Sequence, residues 1–308
     1  MKIVFLDRKT LGDDINLEQF DSLGDVIYYE STKPNETLGR VKDADVVVTN
    51  KVVINKEIMQ QTHIKLICIT ATGMNNVDLE YAKEQKIPVK NVVGYSTSSV
   101  AQLVISYILQ FVQHINYYNE YVQNGGWEKS EIFTNNDQPF YEICRKTVGI
   151  IGLGNIGKEV AKIATAFGCE VVYYSTSGKN TNDTYKNVSL EELLQKSDII
   201  SIHCALNEQT NNLLNKTNLN NLKDGAILLN LGRGGLVNEQ DITDTLNNGK
   251  DIYFATDVTT VEPIEVSSPL LTIKNKERVI ITPHIAWASV EARTRLMDLV
   301  YKNITDTL

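Results

Sequence analysis

The stretch from Lys146 to Ser175, "KTVGIIGLGNIGKEVAKIATAFGCEVVYYS", leaves the chain few ways to fold. A short β-branched apolar run leads into glycines at GxGxxG spacing, Gly152, Gly154 and Gly157. A helical pattern follows, and then a second apolar run. Strand, tight turn, helix, strand is the opening unit of a doubly wound parallel sheet. Each glycine has its own reason. Gly152 permits the tight turn, Gly154 lets the backbone approach a pyrophosphate, and Gly157 lets the helix pack close to the strand. Free N–H groups at the helix start would then face phosphate oxygens. The motif predicts a dinucleotide site.

The rest of the 308-residue chain repeats the alternation. "KIVFLD", "ADVVVTN", "KLICITATG" and "IPVKNV" fall in the first hundred residues. "SDIISIHC", "AILLNLG", "DIYFATDV" and "VIITPHI" join the glycine unit further on. Continuous apolar strands spaced by helices mean parallel sheets covered on both faces, and two such series predict two α/β domains. Ser98 to Trp127 reads as one long helix ended by Gly125 and Gly126. The pattern after Ser289 reads as a closing helix that could return to the first domain, and the polar segment 177–187 reads as a surface loop.

Composition excludes several functions. Apolar and charged contents of 42% and 22% are those of a folded globular chain. A net charge of −8 disfavours a nucleic-acid partner. No run nears the roughly 20 apolar residues that a membrane helix needs. "MKIVFLDRKTLGDD" reads as a first strand, not a signal peptide. Cys68, Cys144, Cys169 and Cys204 form no CxxC pair and read as reduced thiols of a cytoplasmic protein. No Cys/His cluster suggests a metal.

Three strand-end stretches carry candidate chemistry. "LLNLGRGGLV" puts Arg233 past one strand, "ATDVTTVEP" puts Asp257 and Glu262 past another, and "ITPHIAW" puts His284 past a third. Open α/β sheets bind ligands beyond the carboxyl ends of their strands, so these residues can converge. Arginine offers a fork for a carboxylate. A carboxylate beside histidine favours imidazolium, which can protonate a carbonyl oxygen during reduction. The parts fit reduction of a 2-oxo acid. At the end of the second strand of the glycine unit, where an acid would bind the adenosine ribose of NAD, stands Ser175. Ser175, Thr176 and Ser177 can donate hydrogen bonds and Lys179 carries charge, but no arginine is present; NAD and NADP both stay open.

Together with "ATGMNNVDLEYAKEQKIPVKNV", "YSTSSVAQ" and "DIISIHCALNEQT", these motifs resemble the D-isomer-specific 2-hydroxyacid dehydrogenases over essentially the whole chain. "ATGMNNVD", "STSSVAQ" and "PHIAWAS" resemble the glycerate dehydrogenase, or hydroxypyruvate reductase, branch most. The resemblance implies two Rossmann-like and flavodoxin-like α/β domains: a discontinuous substrate domain at 1–98 plus 286–308 and a cofactor domain at 99–285. It implies that the cleft between them closes on ligand. It implies reversible reduction of a short 2-oxo acid such as hydroxypyruvate or glyoxylate. Arg233 would bind the substrate carboxylate, His284 would exchange the proton, and Glu262 would orient His284 and raise its pKa. Thr72, Gly73 and Met74 would contact substrate through their backbone, and Thr72 the cofactor as well. Asn155 and Ile156 would face the pyrophosphate. Ser175 and Thr176 would meet the ribose. Cys204, Leu231, Gly232 and Asp257 would line the cofactor, Asp257 near the carboxamide. Trp287, where many relatives have glycine, either narrows the pocket or only packs. His203 would pack near the cofactor, while His63 and His114 would be structural or exposed. A homodimer joined through 99–140 is expected. No counterpart of the regulatory domain of some phosphoglycerate dehydrogenases is expected. Two alternatives stay open: a bulkier or phosphorylated substrate, for which "MNNVD" offers no basic group, and a nucleotide-sensing, corepressor-like binding protein.

Overall fold

The computed structural model describes residues 1–179 and 181–308; Asn180, within the predicted 177–187 loop, lies outside the described residues. The chain divides into two compact units, Met1–Ser96 with Trp287–Leu308, and Thr97–Ala286.

In the first unit, β1 (Lys2–Phe5), β2 (Asp25–Tyr28), β3 (Val46–Thr49), β4 (Leu66–Ile69) and β5 (Val89–Lys90) form one parallel sheet in the order β2-β1-β3-β4-β5. Every residue of β3 and β4 is buried, because both faces are covered. Ile3, Phe5, Val46, Val48, Leu66 and Cys68 alternate onto one core. The helix Val290–Thr305 fills that core with Ala292, Leu296, Met297, Val300 and Ile304, residues that share one face at helical spacing. Val4, Val47, Ile67 and Ile69 point the other way, into a second core. The strand β2 has no counterpart among the predicted strands. It is an edge strand and only partly buried, so its apolar pattern is weak.

The second unit holds β6 (Thr147–Ile151), β7 (Glu170–Tyr174), β8 (Lys186–Asn187), β9 (Ile199–Ile202), β10 (Ala226–Asn230), β11 (Ile252–Thr256) and β12 (Val279–Ile281). They are all parallel, in the order β12-β11-β10-β9-β6-β7-β8. The chain leaves β6 first toward β7 and later returns on its other side as β9. The switch point therefore lies between β6 and β9, at the glycine turn. The helix Asn155–Ala166 packs Val160, Ala161 and Ala164 into the same core as Val104 and Ile108 of the helix Thr97–Gln113.

Two predicted elements are corrected. The long helix breaks at His114, which has a left-handed φ of 49°, and resumes as Ile115–Gln123. The first piece has a buried stripe, whereas the second buries no residue and so has no core to keep it in line with the first. The predicted loop 177–187 ends in a two-residue edge strand, β8, paired with Val172 and Tyr173. Among the described residues, no helix is long and apolar enough to cross a membrane.

Candidate active site

The glycine turn has the sterics its spacing suggests. Gly152 takes a φ of +93°, and a Cβ there would stand 2.6 Å from the Cys204 nitrogen. A Cβ on Gly157 would meet the Gly152 carbonyl oxygen at 2.4 Å. A Cβ on Gly154 would meet nothing within 4 Å. Gly154 caps the helix Asn155–Ala166 with no side-chain hydrogen bond. The first N–H bonded back along this helix is that of Lys158, to the Gly154 carbonyl, so the amides before it face out of the helix end. Open space over amides at a helix start fits a pyrophosphate.

Other predicted cofactor residues divide by burial. Ser175 ends up buried just past β7, while Thr176 is half-buried and Ser177 and Lys179 are exposed. Cys204 and Leu231 belong to hydrophobic cores, so what they present to a ligand is backbone. Burial pushes the Cys204 thiol up to about 11, which keeps it uncharged. His203 is partly buried. Its Nε2 shares a 2.8 Å hydrogen bond with Ser201, its Nδ1 is buried without a partner, and burial pushes its pKa down to about 4. In the first unit, Thr72, Gly73 and Met74 lie in the turn beyond β4. The Thr72 hydroxyl donates to Val92 O, and its carbonyl accepts from Asn91. Trp287 packs against the first unit's core, edge-to-face with Tyr95 at 6.3 Å.

The three acid–base candidates are brought to one sheet edge by register. Asn230 pairs with Thr256, and Thr256 pairs with Ile281. Arg233, Glu262 and His284 each follow one of these neighbouring parallel strands. Gly234 presses so closely on the next loop that a Cβ would stand 2.1 Å from the Thr259 carbonyl carbon. Glu262 Oε1 accepts from Thr259 N at 3.2 Å, and Oε2 accepts from His284 Nδ1 at 2.7 Å. The side chains of His284 and Glu262 are 29% and 32% exposed, so the pair is lodged in the surface yet open to a ligand. Arg233 is exposed and touches only its neighbour's carbonyl; among the described residues no carboxylate pairs with it.

Asp257, expected to line the cofactor, is 1% exposed. It accepts from Ile285 N at 2.8 Å, Ala286 N at 2.7 Å and the Thr282 hydroxyl. Burial raises its carboxyl pKa while those donors lower it. Its contacts are with the His284 loop, so its first task is structural. His284 itself has a φ of +54°, a conformation that costs a non-glycine residue about 1 kcal/mol or more. Sequence reasoning missed Asn230, whose side chain bridges Gly232 N and Arg233 O and so shapes the Arg233 turn. The available signal was a buried amide ending an otherwise apolar strand. Among the described residues, no group of three or more His, Cys, Asp or Glu is placed to hold a metal.

A parallel sheet with a glycine turn at its switch point, with a histidine–carboxylate pair and an arginine following neighbouring strands, defines a dinucleotide-dependent α/β oxidoreductase. Residues 105–286 match the D-isomer specific 2-hydroxyacid dehydrogenase NAD-binding domain. The whole chain is 41% identical to a hydroxypyruvate reductase of Blautia hydrogenotrophica, covering 97% of it. It is 35% identical to a glycerate dehydrogenase of Methylorubrum extorquens, over 98% of this chain and 95% of that one. An acyclic imino acid reductase solved with NADPH and D-Arg superposes with a TM-score of 0.84, at 28% identity, over 99% of this chain and 96% of that one. The chain belongs to the D-isomer-specific 2-hydroxyacid dehydrogenases and is a nicotinamide-dependent oxidoreductase.

Proposed function

We propose that the chain reduces a short 2-oxo acid, hydroxypyruvate or glyoxylate, reversibly to the D-2-hydroxy acid. The observation that carries this is the 2.7 Å contact from His284 Nδ1 to Glu262, with Arg233, which pairs with no carboxylate among the described residues, following the neighbouring strand. A carboxylate only accepts, so Glu262 holds the proton on Nδ1 and leaves Nε2 as the nitrogen that faces substrate. In the imidazolium form, Nε2 gives its proton to the carbonyl oxygen; in the reverse direction it takes the proton back. Arg233 takes the substrate carboxylate with its guanidinium fork. When bound, the nicotinamide supplies the hydride in reduction and accepts it in oxidation. Gly152, Gly154, Asn155, Ile156 and Gly157 would hold its pyrophosphate.

We infer that NADPH is accepted alongside NADH. Ser175 to Lys179 contains no acid to repel a 2′-phosphate, and Lys179 is exposed. The chain would work as a cytoplasmic homodimer. Four free cysteines support the first part. Exposed apolar side chains at Ile115, Trp127, Ile132, Phe133, Phe140 and Tyr141 support the second.

The test is oxidation of NADPH and of NADH by purified protein, driven by hydroxypyruvate and by glyoxylate. Turnover is expected with both acids, and the ratio of the two kcat/KM values reads out Ser175 to Lys179. Absence of turnover with either acid and either cofactor overturns the substrate assignment.

A further inference from the structure

The segment around His284 is fastened more thoroughly than its surface position requires. The N–H of each of the four non-proline residues from Thr282 to Ala286 is bonded. Thr282 N donates to Thr256 O and His284 N to Thr282 O, both at 3.0 Å. Ile285 N and Ala286 N both donate to Asp257, at 2.8 and 2.7 Å. The Ala286 carbonyl accepts from the Ser99 hydroxyl at 2.6 Å. The Thr282 hydroxyl lies between Asp257 and the phenol oxygen of Tyr107, in hydrogen-bond contact with each. Ser99 and Tyr107 are two turns apart on one helix, so a single helix face reaches this loop at two points.

The chemistry of the three side chains sets the direction of the chain. An ionised Asp257 can only accept, so the Thr282 hydroxyl donates to it. Thr282 must then accept from Tyr107. Burial pushes the Tyr107 phenol up to about 12, so it keeps the proton it donates. Tyr107 is 4% exposed and sits in an otherwise apolar stripe, where a hydroxyl is costly unless it is used.

We propose that Tyr107, Thr282 and Asp257 are positioning residues for His284, a hydrogen-bonded brace that keeps its backbone left-handed and its Nδ1 on Glu262. The inference rests on the reading of His284 as the proton donor. None of the three touches the reacting atoms in this role. They act by fixing the chain before and after the histidine, which sets where Nε2 stands relative to a bound carbonyl.

The experiment compares full-length Thr282→Val, Thr282→Ser and Tyr107→Phe with the unaltered chain. Two readings are taken: hydroxypyruvate-dependent NADPH oxidation, and the imidazole resonances of protein carrying ¹³C-labelled histidine, with His284 assigned from a His284→Gln sample. Thr282→Val is expected to lower kcat roughly 10- to 100-fold, with the hydroxypyruvate KM changed less than about 3-fold, and to shift the His284 resonance. Tyr107→Phe should move both readings the same way by less, and Thr282→Ser, which keeps the hydroxyl, should restore them. An unshifted His284 resonance in both Thr282→Val and Tyr107→Phe overturns the proposal, whether or not kcat falls. If the unaltered chain turns over no 2-oxo acid, it is the functional reading that fails, and the resonance alone decides the brace. If Thr282→Val does not fold, Tyr107→Phe decides it.

Discussion

At the scale of single residues, the structure separates exposed polar groups from groups that only hold the fold. Arg233 is exposed and pairs with no carboxylate among the described residues, so its fork is available. Arg233→Lys keeps the charge and loses the paired geometry, so the KM for the 2-oxo acid should rise about tenfold or more while the melting temperature stays put; steady-state kinetics with a thermal melt checks both. His284→Gln keeps the volume and removes the ring nitrogen that would exchange the proton. Turnover should fall at least roughly 100-fold, with cofactor affinity retained in a fluorescence titration. His203 is of the other kind. Its pKa is depressed to about 4 in the fold, against an ordinary value near 6.5. Between those values the unfolded chain binds a proton that the folded chain refuses. Its contribution is therefore complete above about pH 6.5 and lost as pH falls toward 4, by up to about 3 kcal/mol. Urea unfolding across that range should slope steeply in the unaltered chain and less steeply in His203→Asn. The strand-end placement of Arg233, Glu262 and His284 was legible because each follows a strand in a motif of its own. Asn230, Tyr107 and Thr282 were not, because their tasks are set by neighbours distant in sequence.

At the scale of elements, the glycine turn shows how one motif carries unlike constraints. Gly157 is fixed by the backbone of its own turn and Gly154 by nothing in the protein. Gly157→Val should therefore destabilise the second unit outright. Gly154→Val should fold with an unchanged circular dichroism spectrum and bind NADPH at least tenfold more weakly, since its side chain enters the space above the helix amides. The strands buried on both faces, such as β3, β4 and β10, were plainly legible in sequence. The edge strands β2 and β8 escaped because exposure leaves them with little apolar signal. The break at His114 escaped because the apolar pattern runs on past it, while the burial that would sustain one helix does not.

At the scale of the whole molecule, several large apolar side chains on 115–141 are exposed. Phe133, 89% exposed, and Ile132, 62% exposed, are the extreme cases. Sedimentation should show a dimer, and Ile132→Glu with Phe133→Glu should shift the population to monomer at micromolar concentration. The α/β class with parallel sheets was legible from the alternation of apolar runs and helical patterns, which local chemistry dictates.

The route of the chain through its two units has a temporal consequence. The second unit is one unbroken run of sequence, whereas the first needs the helix Val290–Thr305 to fill the core around Phe5, Val48 and Leu66. During synthesis, β1, β3 and β4 must therefore wait, with one apolar face uncovered, until the helix Val290–Thr305 has left the ribosome. The unit begun first is the one finished last, and the interval in between is when a nascent chain of this kind is most exposed to aggregation and most dependent on chaperones.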